Sequence, residues 1–379
     1  MKEQVQKLLI RCLIRKPIEI DEFDWDAINV KMFMKLVARH SMFGWIAFQI
    51  KSMPSETCNT HFWKEVSILN AHLSKLRSNI NTKAVINQLY EALRQSEIKG
   101  VVIKGPALCN TFYKNEEYIH GYSDIDLLVD ESVAKEFHEL LLKNYGFHIS
   151  NTEKYNAYYS SMFCIAHHLP ELQNANGIVE VHHRLGLSFV KHLPKANLIL
   201  KDAQLLICSD GVMYVPTPYD SFIILCNHLF YHHSYENSIA LARHGDIISA
   251  IKFFDVAFSN GWLEELQQRV QLHGVQEAVF YSLYQTQRVF KSCGYDSPIR
   301  QEIIDKFTFN GVDLDAMRSR YLLEDKSYGT WTMSYYDRVF FGKDNLEKEV
   351  GYAYYKQTCQ KRWKKSLESL SIDTSLEMW

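Results

Sequence analysis

The amino-acid sequence predicts an α+β protein, with a small sheet core at residues 99–216 between helical regions at residues 1–98 and 217–379. Apolar residues recur at helical spacing in both outer regions, and Gly44 is the only glycine before Gly100. Between the outer regions, short β-branched runs alternate with shorter helical stretches and turn residues. These observations predict the fold class and its division into three parts.

The outer regions are predicted to be helical because their apolar residues fall on one face of a helix. In the N-terminal region this spacing extends over residues 4–14, 25–50 and 60–96. In the C-terminal region it extends over residues 220–233, 246–259, 262–275 and 276–291. Beyond residue 294 the pattern weakens, although aromatic residues continue.

The predicted core begins with a buried strand at residues 101–103. The turn Lys104-Gly105-Pro106 follows, and a proline at this position predicts the first turn of a short helix. A second strand is predicted at residues 124–129, and Ser132 is the expected N-cap of the next helix. Further strands are predicted at residues 147–150, 158–168 and 177–185, with a hairpin turn at residues 170–176.

Composition excludes several classes of protein. The hydrophobic content of 47% is sufficient for a large core and excludes intrinsic disorder. A net charge of −2 lacks the basic excess expected of a dedicated nucleic-acid-binding protein. No uncharged apolar run approaches the ~20 residues of a membrane span, and the eight cysteines include no C-x-x-C pair. We therefore expect a soluble, cytoplasmic protein without a membrane or nucleic-acid partner.

Two acidic residues in the second predicted strand are the strongest indication of chemistry. Asp124 and Asp126 lie two positions apart, so their side chains leave the strand on the same face. Burial of unpartnered carboxylates costs several kcal/mol each, and a divalent cation removes that cost. Magnesium prefers one or two carboxylates together with phosphate oxygens. The pair therefore predicts a metal site, whereas an edge strand with both aspartates in water is the alternative.

Two further segments strengthen this prediction. Upstream, the turn at Lys104 and Gly105 leads into a helix N-terminus, where backbone amides and a lysine can bind a phosphate. Downstream, Glu180 lies among β-branched residues in a strand that is expected to pair beside the Asp124 strand. His182 shares the face of Glu180, because alternate residues of a strand point the same way.

The order of these features resembles the nucleotidyltransferase superfamily. More narrowly, it resembles the bacterial family described as uncharacterised nucleotidyltransferases, which reads approximately L-K-G, then R-x-x-x-D-I-D-L-L-V, then D-L-H-W-R-L. The matching stretches are residues 102–105, 120–129 and 179–185, and the likeness covers roughly residues 30–290. Two positions depart from the pattern, with His120 in place of an arginine and Glu180 in place of an aspartate. The resemblance implies a nucleotidyltransferase-like core with a small mixed sheet.

This resemblance also implies an activity, namely transfer of a nucleoside monophosphate from a nucleoside triphosphate to a hydroxyl acceptor, with release of pyrophosphate. ATP is the expected donor, and the acceptor is a small molecule, a peptide or a protein. The residues assigned to catalysis, and to two Mg²⁺ or Mn²⁺ ions, are Asp124, Asp126 and Glu180. The residues assigned to nucleotide binding are Lys104, Gly105, Ser123, His120 and His182.

Two other functions remain open. The departures at His120 and Glu180 are consistent with a catalytically weakened protein that binds a nucleoside triphosphate and acts through a protein partner. A protein-interaction module in which the acidic pair is incidental is the third possibility. Neither the acceptor nor an oligomeric state is specified by the motifs.

Overall fold

The computed structural model describes residues 2–77, 81–114, 116, 119–120, 122–150, 166–186, 193–231, 240–258 and 261–308. The strand predicted at residues 158–168 lies almost entirely outside these described residues, as does the aromatic-rich stretch beyond residue 308.

The described residues of the N-terminal region form six α-helices and two short 3₁₀ turns. The helices are α1 (Lys2–Leu13), α2 (Val30–Arg39), α3 (Phe43–Ser52), α4 (Ser55–Cys58), α5 (His61–Arg77) and α6 (Thr82–Ser96). The 3₁₀ turns are Ile20–Glu22 and Trp25–Ala27. Asparagine side chains cap two of the helices, because Asn29 and Asn81 accept hydrogen bonds from the first-turn amides of α2 and α6.

A five-stranded mixed sheet forms the centre of the molecule. Its strands are β1 (Gly100–Val102), β2 (Ile125–Val129), β3 (His148–Ile149), β4 (Leu172–Asn174) and β5 (Gly177–His182). They lie in the order β1-β2-β5-β4-β3, in which β2 and β5 are parallel and the other neighbours are antiparallel. A separate hairpin joins β6 (Gln204–Cys208) to β7 (Gly211–Val215). The predicted α+β class with a small mixed sheet is confirmed.

Two local predictions in this region are wrong. Residues 172–174 are strand β4 rather than turn, because Leu172 is buried and pairs with Val179 of β5. The turn is limited to the next two residues, and the Asn174 side chain closes it by accepting from the amide of Asn176. Ser132 does not cap the following helix, since its hydroxyl and its amide both donate to Asp130.

Four helices pack on the sheet. They are α6, α7 (Pro106–Phe112), α8 (Ala134–Asn144) and α9 (Ala196–Asp202). Buried residues of α6 and α8 share one apolar cluster with β2 and β5, whereas α9 covers the opposite face. We call the five-stranded sheet and these four helices the sheet core. The division of the chain at residue 98 stays a prediction, although α6 packs with the sheet.

The C-terminal helices pack against the N-terminal ones. They are α10 (Pro218–Tyr231), α11 (Leu241–Ala257), α12 (Trp262–His273), α13 (Gln276–Ser292) and α14 (Gln301–Phe307). Buried residues of α1–α3 and α5 belong to the same apolar cluster as those of α10–α14. We call helices α1–α5 and α10–α14 the helical body. Within the described residues, no helix combines the length and the apolar character needed to cross a membrane.

Candidate active site

Parallel pairing of β2 with β5 brings the predicted acidic residues together. Asp126 lies directly opposite Glu180 in the register, and His182 follows two positions later on the same face. Asp124 immediately precedes β2, two positions before Asp126. All five residues of β2 are buried, so the strand is held in register by apolar contacts on both sides. This fixed register determines which carboxylates meet.

Asp126 is the centre of the cluster. Its Oδ1 accepts a hydrogen bond from Lys104 Nζ at 2.8 Å and lies 2.8 Å from His182 Nε2. The same His182 nitrogen lies 3.3 Å from Glu180 Oε2. One ligand atom from each of Asp126, Glu180 and His182 falls within 4.8 Å of the other two, which is close enough for the three to bind one metal ion. Asp124 stands outside this close group.

The charges of the cluster depend on one another. Burial alone would raise the pKa of Asp126, but Lys104 and His182 outweigh it and hold that pKa far below its usual range. Burial would lower the pKa of His182, yet its hydrogen bonds to Asp126 and Glu180 raise it overall. At Asp124, burial and then the neighbouring carboxylates raise the pKa to about 6. The cluster therefore contains three carboxylates together with Lys104 and His182, whose protonated forms are favoured there.

This arrangement corrects the physical reasoning that predicted a metal. A divalent cation is not required to offset the burial of Asp126, because Lys104 and His182 already do so. At Asp124, by contrast, burial and then the neighbouring carboxylates outweigh the effect of Lys104 and His182, so its pKa is raised. Carboxylate oxygens suit both Mg²⁺ and Mn²⁺, so the carboxylates of the cluster fit a divalent cation.

The turn before α7 contains the predicted glycine. Gly105 has a φ of +48°, a conformation that side-chain-bearing residues rarely adopt, and Pro106 begins the helix. A Cβ atom at Gly105 would lie 3.1 Å from the Tyr122 ring, so the position is also crowded. The glycine thus allows the chain to turn directly from β1 into α7, and this turn aims Lys104 at Asp126.

All eight predicted site residues line one cavity. Its volume is about 1090 Å³, which exceeds the ~300–1,000 Å³ typical of small-molecule sites. The wall from the sheet core comprises Lys104, Gly105, His120, Ser123, Asp124, Asp126, Glu180 and His182, together with His167 and His168. The opposite wall comes from the helical body and includes Phe43, Trp45, Asn227, Arg243 and Asp246.

Sequence reasoning missed the partner of His120. The His120 Nδ1 atom lies 2.9 Å from Asp246 Oδ1, and the Tyr113 hydroxyl donates to the same oxygen. Asp246 belongs to α11 of the helical body, 126 positions after His120 in the chain. The available signal was an aspartate at the start of an otherwise apolar helical run, since a buried acid requires a partner.

Comparison with known protein families agrees with this geometry. A family model described as "Uncharacterised nucleotidyltransferase" matches residues 21–291, which is more than half of the chain. The chain therefore belongs to this family, as the motif resemblance predicted. Membership supports nucleotidyl transfer as the general class of activity. No curated protein matches the chain.

Proposed function

We propose that this member of the family transfers a nucleoside monophosphate from a nucleoside triphosphate, with ATP as the expected donor, to a hydroxyl acceptor. The acceptor oxygen forms a bond to the α-phosphorus, and the bond from that phosphorus to the departing pyrophosphate breaks. The observation that carries the proposal is the register of β2 and β5, in which Asp126 lies opposite Glu180 and Asp124 precedes them on the same cavity.

We further propose that Asp124, Asp126 and Glu180 hold the divalent cations. Such cations supply charge neutralisation for both the attacking and the leaving oxygens of a phosphoryl-type displacement. Lys104 and His182 share the Oδ1 atom of Asp126, so a cation bound at that atom would displace part of these contacts. Lys104 is then available to donate to the phosphate oxygens of the nucleotide, as the motif resemblance implies.

Glu180 is the residue that accepts the proton of the acceptor hydroxyl. Burial would raise the pKa of Glu180, but the hydrogen bond from His182 and the charges of His168 and His182 together lower it, so the carboxylate is ionised at neutral pH. His182 is itself buried and fixed by Asp126. It therefore orients Glu180 rather than moving freely in the cavity.

The size of the cavity supports a two-substrate reaction. A volume of about 1090 Å³ leaves room for an acceptor beside a nucleotide. The carboxylates line one wall and the helical body provides the other, so the acceptor is expected to bind against α3, α10 and α11. Binding both substrates in one cavity lets the reaction gain from their positioning.

A second function is favoured by one specific observation. Asp126 is already paired with Lys104 and His182, which is the arrangement expected of a carboxylate that serves structure alone. On that basis the protein would bind a nucleoside triphosphate without transferring it and would act through a protein partner.

The two functions are separated by following the α-phosphate. Purified protein is incubated with each of the four α-labelled nucleoside triphosphates, with Mg²⁺ or Mn²⁺ and with a cell extract as the source of hydroxyl acceptors, and pyrophosphate and transferred label are measured. The proposed transferase releases pyrophosphate from at least one nucleotide, and Asp126→Asn abolishes that release. Asp130→Asn is the matched control, because Asp130 is an exposed aspartate directly after β2 that does not line the cavity.

Calorimetry of nucleotide binding completes the test. Nucleotide binding without any pyrophosphate release would favour the binding protein. Equal behaviour of wild type and Asp126→Asn in both assays would reject the site assignment.

A further inference from the structure

The His120 side chain is fixed by two contacts that do not involve the acidic cluster. Its Nδ1 atom lies 2.9 Å from Asp246 Oδ1 of α11. Its ring stacks on Tyr113, with ring centroids 5.6 Å apart and planes inclined by 23°. The Tyr113 hydroxyl donates to the same Asp246 oxygen. A ring held at one nitrogen and on one face has a defined orientation.

With Nδ1 bound to Asp246, the second ring nitrogen, Nε2, is available for contact with a molecule in the cavity. The His120 side chain is 17% exposed and lines the cavity together with Lys104 and Asp124. Within the described part of the chain, no hydrogen bond reaches His120 Nε2. Asp246 is only 6% exposed at its side chain, and its Oδ1 atom is already occupied by two donors. His120, rather than Asp246, is therefore the group that can contact a bound molecule.

We propose that His120 Nε2 donates a hydrogen bond to a phosphate oxygen of the bound nucleotide, and that Asp246 is the positioning residue that orients the ring for this contact. The inference rests on the proposed function, because it requires a nucleotide in this cavity. It assigns a role in nucleotide binding to Asp246 of the helical body, which acts by orienting His120.

The charges around His120 favour contact with an anion. Burial would lower its pKa, but the charge and the hydrogen bond of Asp246 outweigh burial and raise it, which favours the protonated imidazole. Asp126 adds a smaller effect in the same direction. Behind the Tyr113 ring, Arg15 lies 5.8 Å from the ring centroid and is itself paired with Glu116.

A protonated imidazole has two donors and no acceptor. It therefore binds a phosphate oxygen and cannot take a proton from the acceptor hydroxyl. The position of His120 on the same cavity as Lys104 gives the nucleotide a second cationic contact.

The first test measures the ring directly. The titration of the His120 imidazole is followed by NMR in ¹³C,¹⁵N-histidine-labelled protein and is assigned with His120→Gln. Asp246→Asn should move the midpoint down by about 1–3 pH units, because the nearby carboxylate charge is lost. Tyr113→Phe keeps the stacked ring and removes a competing donor, so it should not move the midpoint down. Asp255→Asn, on the exposed side of the same helix, is the matched control and should leave the titration unchanged.

The second test measures nucleotide affinity against pH by calorimetry, with Mg²⁺ and an ATP analogue that has a methylene group between the α- and β-phosphates. For wild type, affinity should fall as pH rises through the His120 midpoint, because a cation with a raised pKa is lost at high pH. His120→Gln should bind about tenfold more weakly below that midpoint, which is the usual effect of one charge-assisted hydrogen bond. His120→Arg should keep the affinity and lose this pH dependence.

Asp246→Asn decides the inference. It should move the fall in affinity to lower pH by the same interval as the imidazole titration. An unchanged affinity profile in Asp246→Asn, or an unchanged affinity in His120→Gln, would overturn the inference while leaving the proposed function intact. Failure of the wild-type protein to bind the analogue at any pH would overturn both.

Discussion

The helical body and the active-site edge of the sheet core both contain buried residues, but the buried residues are mostly apolar in the first region and charged in the second. Phe254, at the centre of the helical body, is fully buried and has ring contacts with Phe112, Phe222 and Trp262. Asp126, at the sheet edge, is nearly as buried but is surrounded by ionised partners. Apolar packing stabilises the buried residues of the helical body, whereas contacts between opposite charges stabilise those at the sheet edge.

Two buried histidines make the same contrast. Among the described residues, no carboxylate contributes to the pKa of His244 of α11, and burial lowers that pKa to about 3, so the side chain is neutral. His182 of β5 is equally buried but lies beside Asp126 and Glu180, which raise its pKa. In this pair, the histidine beside the carboxylates of the cavity is the one whose pKa is raised, so neighbouring charge as well as burial sets the pKa of a buried histidine.

The largest effect is expected at the sheet edge. Asp126→Asn should lower pyrophosphate release by about 10²–10⁴-fold, because it removes a proposed metal ligand and leaves Lys104 and His182 without their shared anion. The release assay measures this loss, and chemical denaturation shows how much of it comes from reduced stability. A decrease of less than threefold would mean that Asp126 serves the fold rather than the reaction.

The next effect belongs to the helical body. Phe254→Ala should lower the free energy of unfolding by about 3–5 kcal/mol, because it leaves a cavity among aromatic rings. Because Phe254 does not line the site cavity, nucleotide affinity of the folded variant should stay within about twofold of wild type. A large loss of affinity without a loss of stability would show that the two regions are not separate in the way described. Denaturant titration and calorimetry provide the two readings.

The pH dependence of stability should reflect the neutral His244. Its folded pKa of about 3 lies below the unfolded value of about 6.5, so its contribution is present above pH 6.5 and is lost as pH falls. Between pH 6.5 and pH 5, this loss is on the order of 2 kcal/mol. In His244→Gln, denaturant titrations at the two pH values should differ by correspondingly less. His148→Gln, at an exposed position, is the control and should keep the wild-type difference.

A smaller effect is expected where the helical body reaches the cavity wall. A Cβ atom at Gly245 of α11 would lie 2.3 Å from the buried Trp45 ring. Gly245→Ala should therefore destabilise the protein by about 1–3 kcal/mol, despite the better helix propensity of alanine. Val256→Ala on the same helix is the control, because Val256 is 88% exposed and should change stability by less than about 0.5 kcal/mol. Equal stability of Gly245→Ala and wild type would mean that α11 and α3 are less tightly packed than described.

Much of the fold was accessible from sequence because it depends on local patterns. The β-branched run before Lys104 and the acidic strand at Asp126 carry their own signals, and the α+β class follows from their placement between helical regions. Strand β4 was missed because three residues with one buried side chain have no periodicity, and only pairing with β5 makes them a strand. Ser132 was misassigned because Asp130 competes for its hydroxyl.

The candidate site was accessible only in part. The register that brings Asp126 and Glu180 together follows from two recognisable strands. The contact of Lys104 with Asp126 could not be predicted. A lysine that lies near both a carboxylate and a phosphate-binding turn can pair with either group. The contact of His120 with Asp246 joins two regions that were treated as separate, and no spacing in the chain reveals it. The catalytic and binding roles of these residues stay predictions.

Whether the acidic cluster binds metal can be measured without an acceptor, by following Mn²⁺ binding with electron paramagnetic resonance in the presence and absence of ATP. We expect wild type to bind Mn²⁺ more tightly when ATP is present, Asp126→Asn to lack this effect, and Asp130→Asn to behave as wild type. Equal binding of Mn²⁺ by wild type and Asp126→Asn would contradict the assignment of the acidic cluster as the metal site.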